Sequence, residues 1–270
     1  MKVVKFNKRK GFEKKLYDDG FFYWNSDKEY WIEDEAVVFT QKEVDEIVKA
    51  TNEIHAMGKD FIGDVIKRGD YEIFSRPSYQ LNIPEIERSW RENDFYLFGR
   101  FDIGMTKDGV PKVFEYNADT PVTYMEASKI QEDWYQDKKQ NYGQFNHMRE
   151  AMIQRWSQFK DKNGSNLIHM MSDGKIQEEY ESCDYMKTIL NQAGLEGKWI
   201  GTENFQLDRE TGYFFDADGE RIFSLYKIVP WDFILDDDWG NLLGETTNVI
   251  EPAWKYLLND KYLLALLWKK

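Results

Sequence analysis

FYLFGRFDIGM (Phe95–Met105), TKDG (Thr106–Gly109) and VPKVFEYN (Val110–Asn117) make up the stretch on which the fold turns. Apolar and polar residues alternate on both sides of Asp108-Gly109, a dipeptide suited to the two φ > 0 positions of a tight turn, so the segment reads as a β-hairpin. With those two residues as the loop, Lys107 faces Val110, and counting outward pairs Asp102 with Glu115 and Arg100 with Asn117. Residues two apart on a strand share a side, so these four project from one face and leave Phe101, Ile103, Phe114 and Tyr116 to bury on the other. Two carboxylates directly across a ladder repel. Either a cation lies between them, for which the oxygens of Asp102, Glu115 and the Asn117 carbonyl suit Mg²⁺, or the face is solvated and Arg100 neutralises the acids. The whole pairing depends on loop length, since one extra residue shifts every pair.

Working outward, Ala118-Asp-Thr-Pro-Val-Thr123 leads into a helical pattern carrying Ala127, Ile130 and Trp134, with Thr120 or Thr123 as N-cap. A strand, a polar turn and a helix N-terminus together suit an anionic group; plain capping needs no ligand. Upstream, Thr40 and Glu43 form a capping box before apolar residues at helical spacing up to Arg68-Gly69, a long amphipathic helix interrupted or kinked near Gly58. His55 lies beside its apolar stripe as a structural imidazole. Downstream, Phe145, Met148, Met152, Trp156 and Phe159 mark another helix, a core stripe. Asn166–Met171 reads as a buried strand followed by a helix from Glu178 to Ala193, an α/β unit; His169 belongs to its core. Lys198–Gly201 and Ile222–Val229 read as further strands, with Asp218-Gly219 as a second turn.

The 270 residues suffice for one large or two modest domains, and 41% hydrophobic with 16% aromatic residues exclude a disordered chain. No repeat or linker is evident; the polar Lys160–Ser165 stretch is the place for a boundary between compact units. Thirty-six basic against forty-nine acidic residues leave a net charge of −13, which argues against nucleic acid and for cationic or metal-bridged partners. One cysteine, Cys183, read as buried and inert, cannot form an intrachain disulfide, and no signal-like or membrane-spanning run is present, so a cytoplasmic setting is expected.

The motifs Gly99-Arg-Phe-Asp102, Glu115-Tyr-Asn-Ala-Asp-Thr-Pro121 with Glu126-Ala127, Gln192-Ala-Gly194, Tyr226-Lys-Ile-Val-Pro-Trp231 and Ile250-Glu-Pro-Ala-Trp254 resemble, in order and spacing, the synthetase half of glutathionylspermidine synthase and its shorter homologues, a branch of the ATP-grasp ligases. The resemblance spans nearly the whole chain, and the fold it implies is α/β (α+β), a pre-ATP-grasp front half with a hairpin metal site and an incomplete ATP-grasp. Carried over position by position, it implies that Asp102, Glu115 and Asn117 hold Mg²⁺ and that Arg100 stabilises the acyl phosphate and the substrate carboxylate. Thr120 stands at a hydroxyl position that binds the tripeptide, Glu178 and Glu179 at an acidic pair near the tripeptide and amine, with Glu181 as a substitute under a small shift, and Lys261 at an ATP-phosphate lysine. Val122 and Ile228 occupy two further hydroxyl-bearing positions and lack the hydroxyl, which bears on whether glutathione itself is the acid. The family's second phosphate lysine and lid would lie beyond Lys270, so the chain alone is expected to fold, to bind ATP weakly and to show no turnover.

The function so implied is an ATP- and Mg²⁺-dependent carbon–nitrogen ligase that joins a peptide carboxylate to a polyamine-like amine through an acyl phosphate. From a different class, a non-catalytic ligand-binding or interaction module would keep the fold without turnover. A metal-dependent hydrolase built on the hairpin acids lacks an evident nucleophile or histidine base.

Overall fold

The fold is seen in a computed structural model that describes residues 1–26, 30–74, 78–138, 141–235 and 239–269. The chain opens with β1 (Lys2–Lys5), helix α1 (Phe12–Asp18) and β2 (Glu35–Val38), which pairs antiparallel with β1. Helix α2 (Gln41–Arg68) starts on the expected capping box, in which the Thr40 hydroxyl accepts from the Glu43 amide at 3.3 Å and the Glu43 carboxylate accepts from the Thr40 amide at 2.8 Å. It runs unbroken past Gly58 to an αL Gly69. Gly58 is where the helix Lys255–Leu258 packs: a Cβ there would lie 2.9 Å from Leu258 Cδ2. Helix α3 (Ser78–Arg91) follows, and then the hairpin of β3 (Arg100–Met105) and β4 (Pro111–Asn117).

Beyond the hairpin, neither Thr120 nor Thr123 makes a side-chain capping bond among the described residues. Thr123 instead adopts φ 70° and its carbonyl accepts the Ala127 amide at 3.2 Å. A π-helical turn (Glu126–Ile130) then runs into α4 (Gln131–Lys138), and α5 (Met148–Ser157) follows. Phe145 lies before α5 and is exposed, so the stripe begins one turn later than its spacing suggests.

The second half contains β5 (Leu167–Ser172), α6 (Gln177–Gln192), β6 (Glu196–Gly201), the short antiparallel pair β7 (Gln206–Asp208) and β8 (Tyr213–Phe215), and β9 (Ser224–Lys227). Helices α7 (Trp231–Leu235) and α8 (Gly240–Thr246), strand β10 (Asn248–Ile250), and helices α9 (Lys255–Leu258) and α10 (Leu263–Trp268) complete it. Strands β10, β9, β5 and β6 form, in that order, an all-parallel sheet. Such a sheet needs cover on both faces, and strand alternation allots the two. Met171, Leu225 and Val249 join the core with Ile62, Val65, Phe214 and Trp231, while Ile168, Met170, Tyr226 and Ile250 join the core with Tyr124, Cys183, Met186 and Ile189. Both cores draw on residues before and after Lys160–Ser165, and Asp161 Oδ2 accepts from Ser224 Oγ and Asn248 Nδ2, each at 2.6 Å.

The hairpin reaches the expected pairing by an unexpected route. Its loop has three residues, Lys107–Gly109, with only Gly109 at positive φ, and Thr106 rather than Lys107 faces Val110, the Thr106 amide donating to the Val110 carbonyl at 3.0 Å. That extra residue shifts the register between Met105↔Pro111 and Ile103↔Val113; a bulge opposite Asp102/Ile103 shifts it back, giving Asp102↔Glu115, Phe101↔Tyr116 and Arg100↔Asn117. The surplus residue is Phe114. Instead of burying with Phe101, Ile103 and Tyr116 it is 72% exposed, its ring lying over Gly104, where a Cβ would be 2.6 Å away.

Gly99, at the start of the hairpin, has a similar role. A Cβ there would come within 2.6 Å of the Tyr116 ring, which stacks on Phe101 at 4.0 Å between centroids and bonds His55 Nδ1 through its hydroxyl at 2.7 Å. The ring is held on both sides and cannot yield easily. Gly99→Ala is therefore expected to destabilise the protein by roughly 1–3 kcal/mol, read as a lower urea midpoint with an unchanged slope; an unchanged midpoint would show that the ring moves freely.

Candidate functional site

Pairing Asp102 with Glu115 creates a local excess of negative charge, and the side chains around it answer that charge. Arg100 Nε donates to Asp102 Oδ1 at 3.0 Å, and the Lys261 ammonium, delivered from the turn between α9 and α10, donates to Glu115 Oε1. All four side chains are partly exposed, so each pair contributes at most about 1 kcal/mol. Asn117, two residues beyond Glu115 on the same face, turns its Oδ1 back to accept the Thr120 amide at 3.2 Å, and the Ala118 amide donates to Asn259 Oδ1 at 3.2 Å. The turn after β4 is thereby tied to the C-terminal segment that carries Lys261. Every oxygen donor on this face is hard, and each acid already balances a partly exposed cationic side chain, so the donor set fits Mg²⁺ by its chemistry.

Glu178 and Glu179, adjacent in the first turn of α6, part company. Glu179 accepts the Asp173 amide at 3.0 Å and so closes its own turn. Glu178 faces Glu126: burial and then the Glu126 charge raise its pKa, and the Arg100 guanidinium pulls it down. Glu181 is buried, accepting from Gln177 Nε2 at 2.5 Å and from the Phe22 and Tyr23 amides at 3.0 and 3.4 Å, and burial raises its pKa as well.

Glu126 is the residue that sequence reasoning passed over except as part of a motif. It is only 5% exposed. Its Oε1 accepts the hydroxyls of Tyr23 and, at 2.7 Å, Tyr30, while its Oε2 is buried with no hydrogen-bond partner among the described residues. Burial, followed by the Glu126 interaction, pushes both phenols above the ordinary tyrosine range, so they act as donors. Glu126, Glu178 and Glu181 thus form a carboxylate cluster that makes no salt bridge among the described residues, with the Arg100 guanidinium acting on Glu178. No local pattern could have shown this, because Tyr23 and Glu126 are 103 residues apart.

Behind the hairpin, Arg100, Phe98, Val122, Tyr124, Met148 and His55 are among the residues lining a cavity of about 490 Å³, within the range of small-molecule sites. Val122 thus meets an open, largely apolar space, and Ile228 is packed in the core. His169, expected in the core, is buried with Nε2 3.2 Å from Asp216 Oδ2. Burial pushes the Cys183 thiol up to about 12, as suits an inert cysteine. Among the described residues no helix is long and apolar enough to cross a membrane.

The chain belongs to the glutathionylspermidine synthase preATP-grasp family, which it matches over residues 3–270. It is 35% identical over its full length to a Haemophilus influenzae protein provisionally named an acid–amine ligase, of which it covers 70%. It is 27% identical to the bifunctional glutathionylspermidine synthetase/amidase of Escherichia coli (85% of this chain, 40% of that one) and 26% identical to the trypanothione synthetase of Crithidia fasciculata (68% and 32%). The chain thus spans less than half of these last two relatives.

The raised pKa of Glu178 has a measurable consequence. Folding favours its protonated form, so the stability it contributes is full below the ordinary carboxylate range and is lost as pH rises through the raised value. Glu178→Gln mimics the protonated state and should raise Tm at pH 7.5 by about 1–3 °C, a gain that fades to nothing near pH 4; an equal gain at both pH values would exclude titration of this residue as the cause.

Proposed function

We propose that this chain holds the acid- and amine-binding region of an ATP- and Mg²⁺-dependent carbon–nitrogen ligase acting through an acyl phosphate. The observation that carries the reading is the juxtaposition of a guanidinium, Arg100, with carboxylates of two kinds: the partly exposed hairpin pair, and the buried Glu126 beside the half-buried Glu178, on which the charges of Glu126 and Arg100 both act. Membership of the family and the names of the relatives support the same class.

In this reading Asp102, Glu115 and the Asn117 carbonyl hold Mg²⁺, which when bound supplies positive charge against the nucleotide phosphates and the phosphoryl group in transfer. Lys261, paired with Glu115 in the structure, would be available as a phosphate contact when Glu115 serves as a metal ligand. Arg100 offers a planar, two-pronged donor to the substrate carboxylate and later to the charge that builds on it. The acid's body occupies the neighbouring cavity, and the Thr120 hydroxyl, on the turn after β4, serves the same acid; the apolar Val122 wall suits an acid that makes fewer hydrogen bonds than glutathione.

Glu178 and the free Oε2 of Glu126 face the amine, and the Tyr23 and Tyr30 rings wall it in. A cationic amine suits carboxylates that have no salt-bridge partner among the described residues, and Glu178, whose affinity for protons is raised, is suited to receive the one the amine sheds as it attacks. Glu179, committed to the Asp173 amide, shapes the turn that carries Glu178.

Two titrations test the assignment. Spermidine should bind the wild-type chain and lose about tenfold in affinity in Glu178→Gln, equivalent to about 1.4 kcal/mol, while a carboxylate ligand such as glutathione is unaffected. Arg100→Lys, which keeps the charge but loses the fork, should show the converse. Equal affinities for both ligands in all three proteins would remove these residues from the site.

A further inference from the structure

The hairpin forms a two-stranded sheet of its own, paired with no other strand among the described residues. Isolated two-stranded hairpins are marginal, so the direction in which Asp102, Glu115 and Asn117 point must be set at the ends of the hairpin. Each end meets a buried ion pair. Ahead of β3, the Glu251 carboxylate accepts the Leu97 amide at 3.1 Å and the Phe98 amide at 3.0 Å, and Lys255 Nζ donates to Glu251 Oε2 and to the Phe98 carbonyl, each at 2.6 Å. After β4, Asp119 accepts the Lys227 ammonium on Oδ1 and the Trp231 amide on Oδ2 at 2.8 Å. All four charged side chains are at most 1% exposed. Trp231 joins the pairs: its amide serves Asp119, its indole Nε1 donates to the Glu251 carbonyl at 2.9 Å, and its ring lies under Lys227 Nζ at 4.8 Å.

Buried ion pairs are poor sources of net stability, because desolvation offsets their attraction. What these four charges deliver is geometric. They bond the backbone just outside the hairpin, at Leu97 and Phe98 on one side and through Asp119 on the other, and anchor it to β9, α7 and α9. The Tyr226–Trp231 and Ile250–Trp254 motifs supply Lys227, Trp231 and Glu251, and Lys255 follows directly after the second; none of these lies on the hairpin face itself.

We infer that Asp119–Lys227 and Glu251–Lys255, linked through Trp231, are positioning residues that lock both ends of the hairpin to the parallel sheet and so fix where its oxygen ligands point. The metal consequence rests on the reading of Asp102, Glu115 and Asn117 given above; the locking itself does not.

Hydrogen exchange read by mass spectrometry on the full chain separates locking from general stability. In the paired variant Asp119→Leu/Lys227→Met, which removes both charges and keeps apolar volume, amides of residues 100–117 should exchange at least tenfold faster while those of β5 and α6 keep wild-type protection. Mn²⁺ affinity, followed by its electron paramagnetic resonance signal, should fall about tenfold, with Asp102→Asn as the direct-ligand control. Unchanged hairpin exchange, or equal acceleration throughout the chain, would overturn the inference. Mn²⁺ binding that is identical in wild type and Asp102→Asn would refute the metal reading and leave the exchange result to judge the lock. If the paired variant does not fold, Asp119→Asn, which keeps an acceptor for Trp231 and drops the charge, is judged by the same exchange criteria.

Discussion

Two carboxylates held across a single β-ladder set the terms for everything around them. Asp102 and Glu115 cannot separate without breaking register, so positive charge has to be brought to them. The chain recruits it from its own strand, as Arg100, and from the loop before its last helix, as Lys261. Both are long, partly exposed side chains on flexible stems, held by interactions too weak to be permanent. An acidic face neutralised in this way is responsive: a stronger cation can displace either side chain without exposing an uncompensated core charge.

The second group of carboxylates behaves differently. Glu126 is buried and Glu178 half-buried, and their answer to mutual repulsion is a higher affinity for protons at Glu178 and donated phenol hydroxyls at Glu126. The site therefore offers two kinds of negative charge within reach of one arginine. The exposed kind suits a hydrated metal ion, and the enclosed kind suits an organic cation that can shed its water.

What the sequence disclosed follows from which forces act locally. The long helix was legible because Thr40 and Glu43 cap it within one turn and its apolar stripe is periodic; the β5–α6–β6 unit was legible because a buried strand and its crossover helix each leave a run of characteristic length. Gly58 was misread as an interruption because a glycine that admits a neighbouring helix looks the same in sequence as one that breaks its own. The Asp102↔Glu115 pairing was correct although its two supporting steps were not, since the longer loop and the bulge offset each other. Glu126, Tyr23 and the lysines Lys227 and Lys255 stayed hidden: Tyr23 and Glu126 are 103 residues apart, Lys227 and Asp119 108, and Lys255 reaches the Phe98 carbonyl across 157, and burial is a property of the folded whole.

That offset between loop and bulge lets the segment between Asp102 and Glu115 be divided in more than one way. A relative of equal length reaches the same pairing with a two-residue loop and no bulge, and a relative one residue shorter reaches it by losing either the third loop residue or the one at Phe114. A single-residue gap in an alignment can therefore be taken up at the tip or in the middle of the hairpin, and the acidic pair keeps its face in both cases.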